Sequence, residues 1–246
     1  MDIFSKPKKA TSILFVRENA SKKCFEVLMV LRSKHSHFVP NAFVFPGGAQ
    51  SQEDYSPSLL ALCSGVNNLT ANEAIDIVEN EKMLLSACIT GIRESFEEVG
   101  ILLAYASDGT LVSYANKDDR EKYQHYRRAL LSSNIKMEYI ITREKLLLAT
   151  DRMFYFSNWI TPAIFPVRYN ALFFIALMPP AQDAKHDGLE LTDHIWLTPQ
   201  EIIAKHTKKV FPMVYPTVMM LKELANYGSA EELFESFAFK HKEHGY

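Results

Sequence analysis

The stretch Arg93-Glu94-Ser95-Phe96-Glu97-Glu98-Val99-Gly100-Ile101, downstream of Phe45-Pro46-Gly47-Gly48, decides how this chain reads. Glu94, Glu97 and Glu98 stand at i,i+3 and i,i+4 spacing, so a helix carries them as neighbours on one face. Leu85, Cys88, Ile92, Phe96 and Val99 fall opposite and form an apolar stripe. Gly100 suits the position just past a helix end, which places the three carboxylates in the last turns. There the negative end of the helix dipole works against them, as does the like-charge pair Glu94 and Glu98. A bound cation relieves both. Taken alone, the helix also fits an ordinary solvated face with Arg93 and Glu97 paired. The upstream Pro-Gly-Gly turn favours the cation. Its glycines permit close backbone approach, and the carbonyl of Gly47 is a further candidate ligand. Divalent magnesium, with its oxygen preference and retained waters, suits such a set.

These residues resemble the Nudix box, in which a glycine and an acid precede Arg-Glu-x-x-Glu-Glu-x-Gly-aliphatic. Gly48 and Asp54 match the first part, with Asp in place of the usual Glu. Arg93, Glu94, Glu97, Glu98, Gly100 and Ile101 match the second. Ser95 stands where an aliphatic residue is usual. The spacer runs from Tyr55 to Ile92, 38 residues, far longer than the family's, so the register of Asp54 against the helix stays open. Arg32-Ser33, His37, Asn41 and Phe45-Pro46-Gly47-Gly48 are similar to the signature of the coenzyme A diphosphatase branch, with His37 and Asn41 replacing its two middle residues. The run 38–48, with the long spacer, is similar to the motif-19 type of peroxisomal coenzyme A diphosphatases.

The resemblance covers about residues 10–233. It implies an α/β fold, a Nudix-type α/β/α sandwich with a mixed sheet. The domain would be single, spanning 1–246, with an insertion at 55–81 inside the box and a helical insertion at about 107–150. It implies hydrolysis of the diphosphate linkage of coenzyme A or acyl-coenzyme A, giving adenosine 3′,5′-bisphosphate and (acyl-)4′-phosphopantetheine. Gly47, Glu94, Glu97 and Glu98 would hold Mg2+ or Mn2+, with Arg93 pinning one carboxylate. Nudix enzymes draw a further acid from the box or a later loop, and Glu190 is the candidate, with Asp193 second. Arg32, Ser33 and Gly48 would contact substrate, Arg32 through a bidentate guanidinium–phosphate contact. Phe38, Phe43, Phe45 and Tyr169 are either adenine-stacking or core residues. Two alternatives stay open. One is a Nudix hydrolase for ADP-ribose, a dinucleotide or a capped RNA; the other is an inactive Nudix-fold binding module. Nudix proteins are often dimers, so a homodimer is also implied.

Composition narrows the class. A chain of 246 residues, 48% hydrophobic, can bury a sizeable core. Its formal charge of −2 offers no general attraction to nucleic acid or anionic membrane. Cys24, Cys63 and Cys88 are odd in number and lack metal or disulfide spacing, which points to a reducing compartment. No apolar run reaches the ~18 residues of a membrane span, and the first ten residues lack a signal-peptide core. His244-Gly245-Tyr246 is unlike a Ser-Lys-Leu signal. A cytoplasmic enzyme is the expectation.

Along the chain, residues 11–17 and 25–31 read as a hairpin, and 42–45 as a short strand leading into the glycine turn. Thr70 and Glu73 form a capping box for a helix to about residue 80. The acidic helix spans about 82–99, and further helices are expected at 117–131 and 142–149. Strands follow at 153–161, 169–177 and 194–197. Thr198-Pro199-Gln200-Glu201 opens a helix with an N-cap, Pro at N1 and Glu at N3. Helices at 216–227 and 229–237, separated by Gly228, close the chain.

Overall fold

The computed structural model describes residues 6–19, 21, 24–36, 39–188 and 190–243, the last six as backbone only. His37 and Phe38 lie outside this set. Strand β1 (Lys8–Asn19) is the middle of the sheet because its apolar residues serve two faces. Ile13 and Phe15 enter one hydrophobic cluster and Leu14 and Val16 the other, as the two-residue repeat of a strand requires. Its edges are taken by β2 (Cys24–Arg32), antiparallel, and by β8 (Tyr169–Leu177), parallel. The strand β7 (Phe154–Ile160) then pairs β8 antiparallel, which makes the sheet mixed.

The β1–β2 pairing covers only Val16–Asn19 and Cys24–Val27. Beyond it, residues 43–49 fill the place between the two strands. β3 (Phe43–Val44) pairs β2, and β4 (Gly47–Ala49) pairs β1 at Ala10–Ser12. On the other side of β2 lies β9 (Leu191–Leu197). The glycine turn is therefore built into the sheet, and β4 is a strand that the turn chemistry of Gly47-Gly48 hides.

Two layers of helices cover the sheet. The long helix α3 (Glu81–Val99) packs on the Ile13/Phe15 face. The helices α6 (Pro199–Thr207), α7 (Tyr215–Leu224) and α8 (Ala230–Glu243) cover the Leu14/Val16 face through Ile202, Leu221, Leu224 and Leu233. The α/β/α sandwich is as expected. The capping box at Thr198 and Glu201 forms in full.

The spacer holds α1 (Pro57–Leu60) and α2 (Ala71–Val78). The later insertion holds α4 (Lys117–Leu131), α5 (Met137–Arg143) and β6 (Leu147–Leu148), the last paired with β5 (Ala104–Tyr105). Both insertions share the main core: Leu59, Ala74, Tyr123, Ile140 and Leu148 belong to the cluster that contains Ile13 and Ile92.

Two local expectations are corrected. No capping bond forms at Thr70, whose hydroxyl instead accepts the N–H of Tyr155 at 2.9 Å. The helix expected at 142–149 lies earlier, at Met137–Arg143. Ile140 and Ile141 are fully buried there, and Lys145 at φ 53° ends the helical run. Leu148 then finds Leu62 and Ser64 as backbone partners.

Candidate active site

The acidic helix α3 is not half-solvated. Residues Ser86–Arg93, Ser95, Phe96, Glu98 and Val99 are buried, because the spacer, the sheet and the later insertion wrap it. Leu85, expected in the apolar stripe, is half-buried, and Leu84 takes the deeper position. The helix ends as its sequence requires, with Gly100 left-handed at φ 74°.

Asp54 settles in the one register the long spacer left open. It is fully buried and takes a fork from Arg93: Nε to Oδ1 at 2.9 Å and Nη2 to Oδ2 at 3.0 Å. The hydroxyl of Thr90 and the N–H of Ser51 complete the carboxylate, at 2.9 and 2.8 Å. Thr90 and Ser51 are the supporting residues that motif reading passes over. Arg93 pins three box carboxylates rather than one, Glu94 and Glu97 besides Asp54. Its Nη1 donates to Glu94 Oε1 at 2.9 Å and to Glu97 Oε2 at 3.1 Å. The carbonyl of Ala49, in β4, accepts from Nη2 at 3.1 Å. A single guanidinium thus locks helix, strand and 3-10 turn (Gln52–Tyr55) together.

The glycines have separate reasons. A Cβ on Gly48 would lie 2.5 Å from the Glu94 carboxylate, so only glycine lets that carboxylate reach the strand. Gly47 sits at φ +150°, and its N–H donates to Glu98 Oε2 at 2.8 Å. The sequence pointed to the Gly47 carbonyl; the contact on Gly47 that involves a carboxylate is made by its N–H.

These bonds occupy one oxygen of each glutamate. Glu94 Oε2, Glu97 Oε1 and Glu98 Oε1 hold no hydrogen bond among the described residues. Burial pushes all three carboxyls up. Glu97 rises to about 7, with Arg93 opposing and Glu94 adding to the rise. Glu98 is raised well above the usual carboxylate range by burial and then by Glu94. Glu94 is raised by burial, against Arg93. Three half-satisfied, desolvated carboxylates in the last turns of α3, one against Gly48 and one on Gly47, are the oxygen donors a hard divalent cation takes, and the cation would supply the missing charge.

The remaining candidates arrive along β2 and β9. Arg32 ends β2, half-buried, and its charge bears on Glu98. Glu190 is exposed, and its charge bears on both Glu94 and Glu98. The two segments are tied by Ser33 N–H to Glu190 O at 2.8 Å, so Ser33 positions the Glu190 loop through its backbone. The Ser33 hydroxyl, buried, accepts the N–H of His35. The loop itself is shaped by Asp187, whose carboxylate takes the N–H groups of Glu190 and Leu191. Asp193 is exposed on β9 and accepts the N–H of His194, while His186 and His194 meet Nδ1 to Nδ1 at 2.9 Å beside it. Of the aromatic candidates, Phe43 is buried and stacked on Phe211, and Phe45 is buried against Phe173. Both are core. Tyr169 is half-buried at the start of β8.

The far end of α3 is finished by residues no motif flags. Arg127, from α4, donates Nε to Glu97 O at 2.9 Å and Nη2 to Glu98 O at 2.7 Å. The amphipathic pattern of α4 carried no signal for it.

Among known proteins, the chain is 25% identical over 247 residues to "Acyl-coenzyme A diphosphatase NUDT19" of Xenopus laevis, covering 90% of this chain and 65% of that one. It is 23% identical to the protein of the same name from Gallus gallus, covering 85% and 63%. The chain thus spans less than two thirds of the length of these relatives. The crystal structure of a NUDIX hydrolase from Alicyclobacillus acidocaldarius superposes with a TM-score of 0.74 at 24% identity, over 92% of this chain and 95% of that one, which establishes the fold. The family description NUDT19 Nudix domain matches residues 7–224, and the chain belongs to that family of Nudix domains.

Proposed function

We propose that the protein is a Nudix diphosphohydrolase that cleaves the diphosphate linkage of coenzyme A or acyl-coenzyme A with Mg2+ or Mn2+. The products would be adenosine 3′,5′-bisphosphate and (acyl-)4′-phosphopantetheine. The observation that carries the reading is the free oxygen on each of Glu94, Glu97 and Glu98 in the last turns of α3, with Glu94 against Gly48, Glu98 on Gly47, and the charges of Arg32 and Glu190 both bearing on Glu98. The relatives named as acyl-coenzyme A diphosphatases support the substrate class.

Glu94, Glu97 and Glu98, with the Gly47 carbonyl, hold the metal in this reading. When bound, such an ion neutralises phosphoryl oxygens and lowers the pKa of a coordinated water. Arg93 keeps Glu94 and Glu97 in place, and Gly47 N–H does the same for Glu98. Glu190 stands at the solvent side, where it accepts a proton from the attacking water. Arg32 binds a phosphate through a bidentate contact, with Ser33 and Gly48 shaping the substrate wall.

The test is a metal-supplemented comparison of coenzyme A, dephospho-coenzyme A and ADP-ribose, with products identified by mass. The expected result is preference for coenzyme A, most of it erased in Arg32→Ala. One charge-assisted contact is worth about 1.5–3 kcal/mol, or on the order of 10- to 100-fold. Equal turnover of the first two substrates, or turnover of ADP-ribose alone, overturns the coenzyme A assignment and leaves the metal chemistry standing.

A further inference from the structure

A cavity of about 230 Å3 lies between the C-terminal end of α3, helix α4 and the segment 181–185. Its charged lining is Arg120, Arg127 and Lys185 against Asp183 alone. None of the three cations forms an ion pair among the described residues. The carboxylates whose charge reaches Arg127 are Asp187 and Glu98. Asp187 is engaged by two backbone N–H groups and Glu98 by Gly47.

Arg127 is half-buried, and burial holds its guanidinium below the ordinary arginine value. Two of its nitrogens are spent on the carbonyls of Glu97 and Glu98. Nη1 is not: it lies over Gly100, 3.2 Å from where a Cβ would stand, with no hydrogen bond among the described residues.

A helix C-terminus ordinarily repels anions. Here its negative end is covered. Besides the two Arg127 contacts, Lys185 N–H donates to Val99 O at 2.9 Å and the Tyr114 hydroxyl donates to Gly100 O at 3.3 Å. What faces the cavity is then a surplus of positive charge beside an apolar wall of Phe96, Val99 and Tyr123.

We propose that this cavity is a second ligand site, which binds an organic phosphate monoester through Arg120, Lys185 and the free Nη1 of Arg127. Phosphate matches a guanidinium fork, and the ring or chain attached to it packs on the apolar wall. The inference is independent of which diphosphate the enzyme cleaves.

The experiment is calorimetric titration of the whole, metal-free protein with adenosine 5′-monophosphate and with inorganic phosphate, alongside amide chemical-shift mapping. The nucleotide is expected to bind more tightly than inorganic phosphate and to shift the amides of Gly100 and Lys185. The double variant Arg120→Gln/Lys185→Gln should weaken that binding at least about tenfold. Both positions are exposed, so the variant should melt like the parent. Absence of binding, unchanged affinity in the double variant, or nucleotide no tighter than phosphate each overturns the proposal. So does a loss confined to Arg32→Ala, which would put the ligand in the catalytic cleft.

Discussion

Glu97 and Glu98 do opposite things to the protein depending on whether a cation is present. Without one they are desolvated carboxyls, each pressed further by the charge of Glu94. Glu97→Gln and Glu98→Gln should each lose activity by orders of magnitude at saturating magnesium, yet melt at or above the parent temperature without metal. Parental rates in both variants would remove the proposed site. Gly48→Ala drives a methyl into the Glu94 carboxylate, so calorimetry should show Mn2+ affinity falling by about 10- to 100-fold. Asp54→Asn attacks the buried fork instead. Leaving Arg93 without its bidentate partner should cost about 3–5 kcal/mol in denaturant unfolding, as broken buried pairs do. Glu190 is exposed and outside this lattice. Glu190→Gln should lower kcat with little change in KM, and an unchanged rate would move its role to Asp193 or a box glutamate. The glutamates and Arg93 were legible as candidates from helical spacing read together with the upstream Pro-Gly-Gly turn. Thr90, Ser51 and Arg127 were not, because ordinary side chains acquire such roles only through partners distant in the chain.

At the scale of one element, α3 should make the metal-free fold pH-sensitive. The Glu97 carboxyl is pushed up from its ordinary 4.5 to about 7 in the folded protein. A folded-state value above the unfolded one means the fold holds the proton more tightly. The resulting stability is present below about pH 4.5 and disappears as pH rises through 7. The shift corresponds to roughly 3 kcal/mol. Metal-free melting temperature should therefore fall between pH 5 and 8, and Glu97→Gln should flatten that fall. Magnesium binds the deprotonated carboxylates, so its apparent affinity should rise over the same interval. Melting curves with and without the ion check both statements. The helix itself was plain in the sequence from its apolar period and Gly100. Its burial on nearly every side was not, because the covering surfaces come from insertions far away in sequence.

For the whole molecule, the two insertions are not appendages. Leu59, Ala74, Tyr123, Ile140 and Leu148 pack in the same cluster as the sheet and α3. Deleting 107–150 should expose that cluster and abolish cooperative unfolding, rather than yield a smaller active enzyme; circular dichroism melting of the shortened chain decides it. Among the described residues no helix is long and apolar enough to cross a membrane. The sequence by itself determined the main strands β1, β2, β7 and β8, both ends of α3, the start of α6, and the three glutamates as neighbours on one helix. Those features are written in neighbouring residues, through the periods of strand and helix and the chemistry of caps. Only the tertiary structure decided that Asp54 meets Arg93 across the long spacer, and that Glu190 comes to the box helix through Ser33. It also decided that β4 is a strand, that Thr70 serves Tyr155 rather than its own helix, and that Arg127 closes α3. Each of those depends on which distant backbone and side-chain groups share a desolvated space. There an unpaired polar group is costly, and local pattern carries no record of its partner.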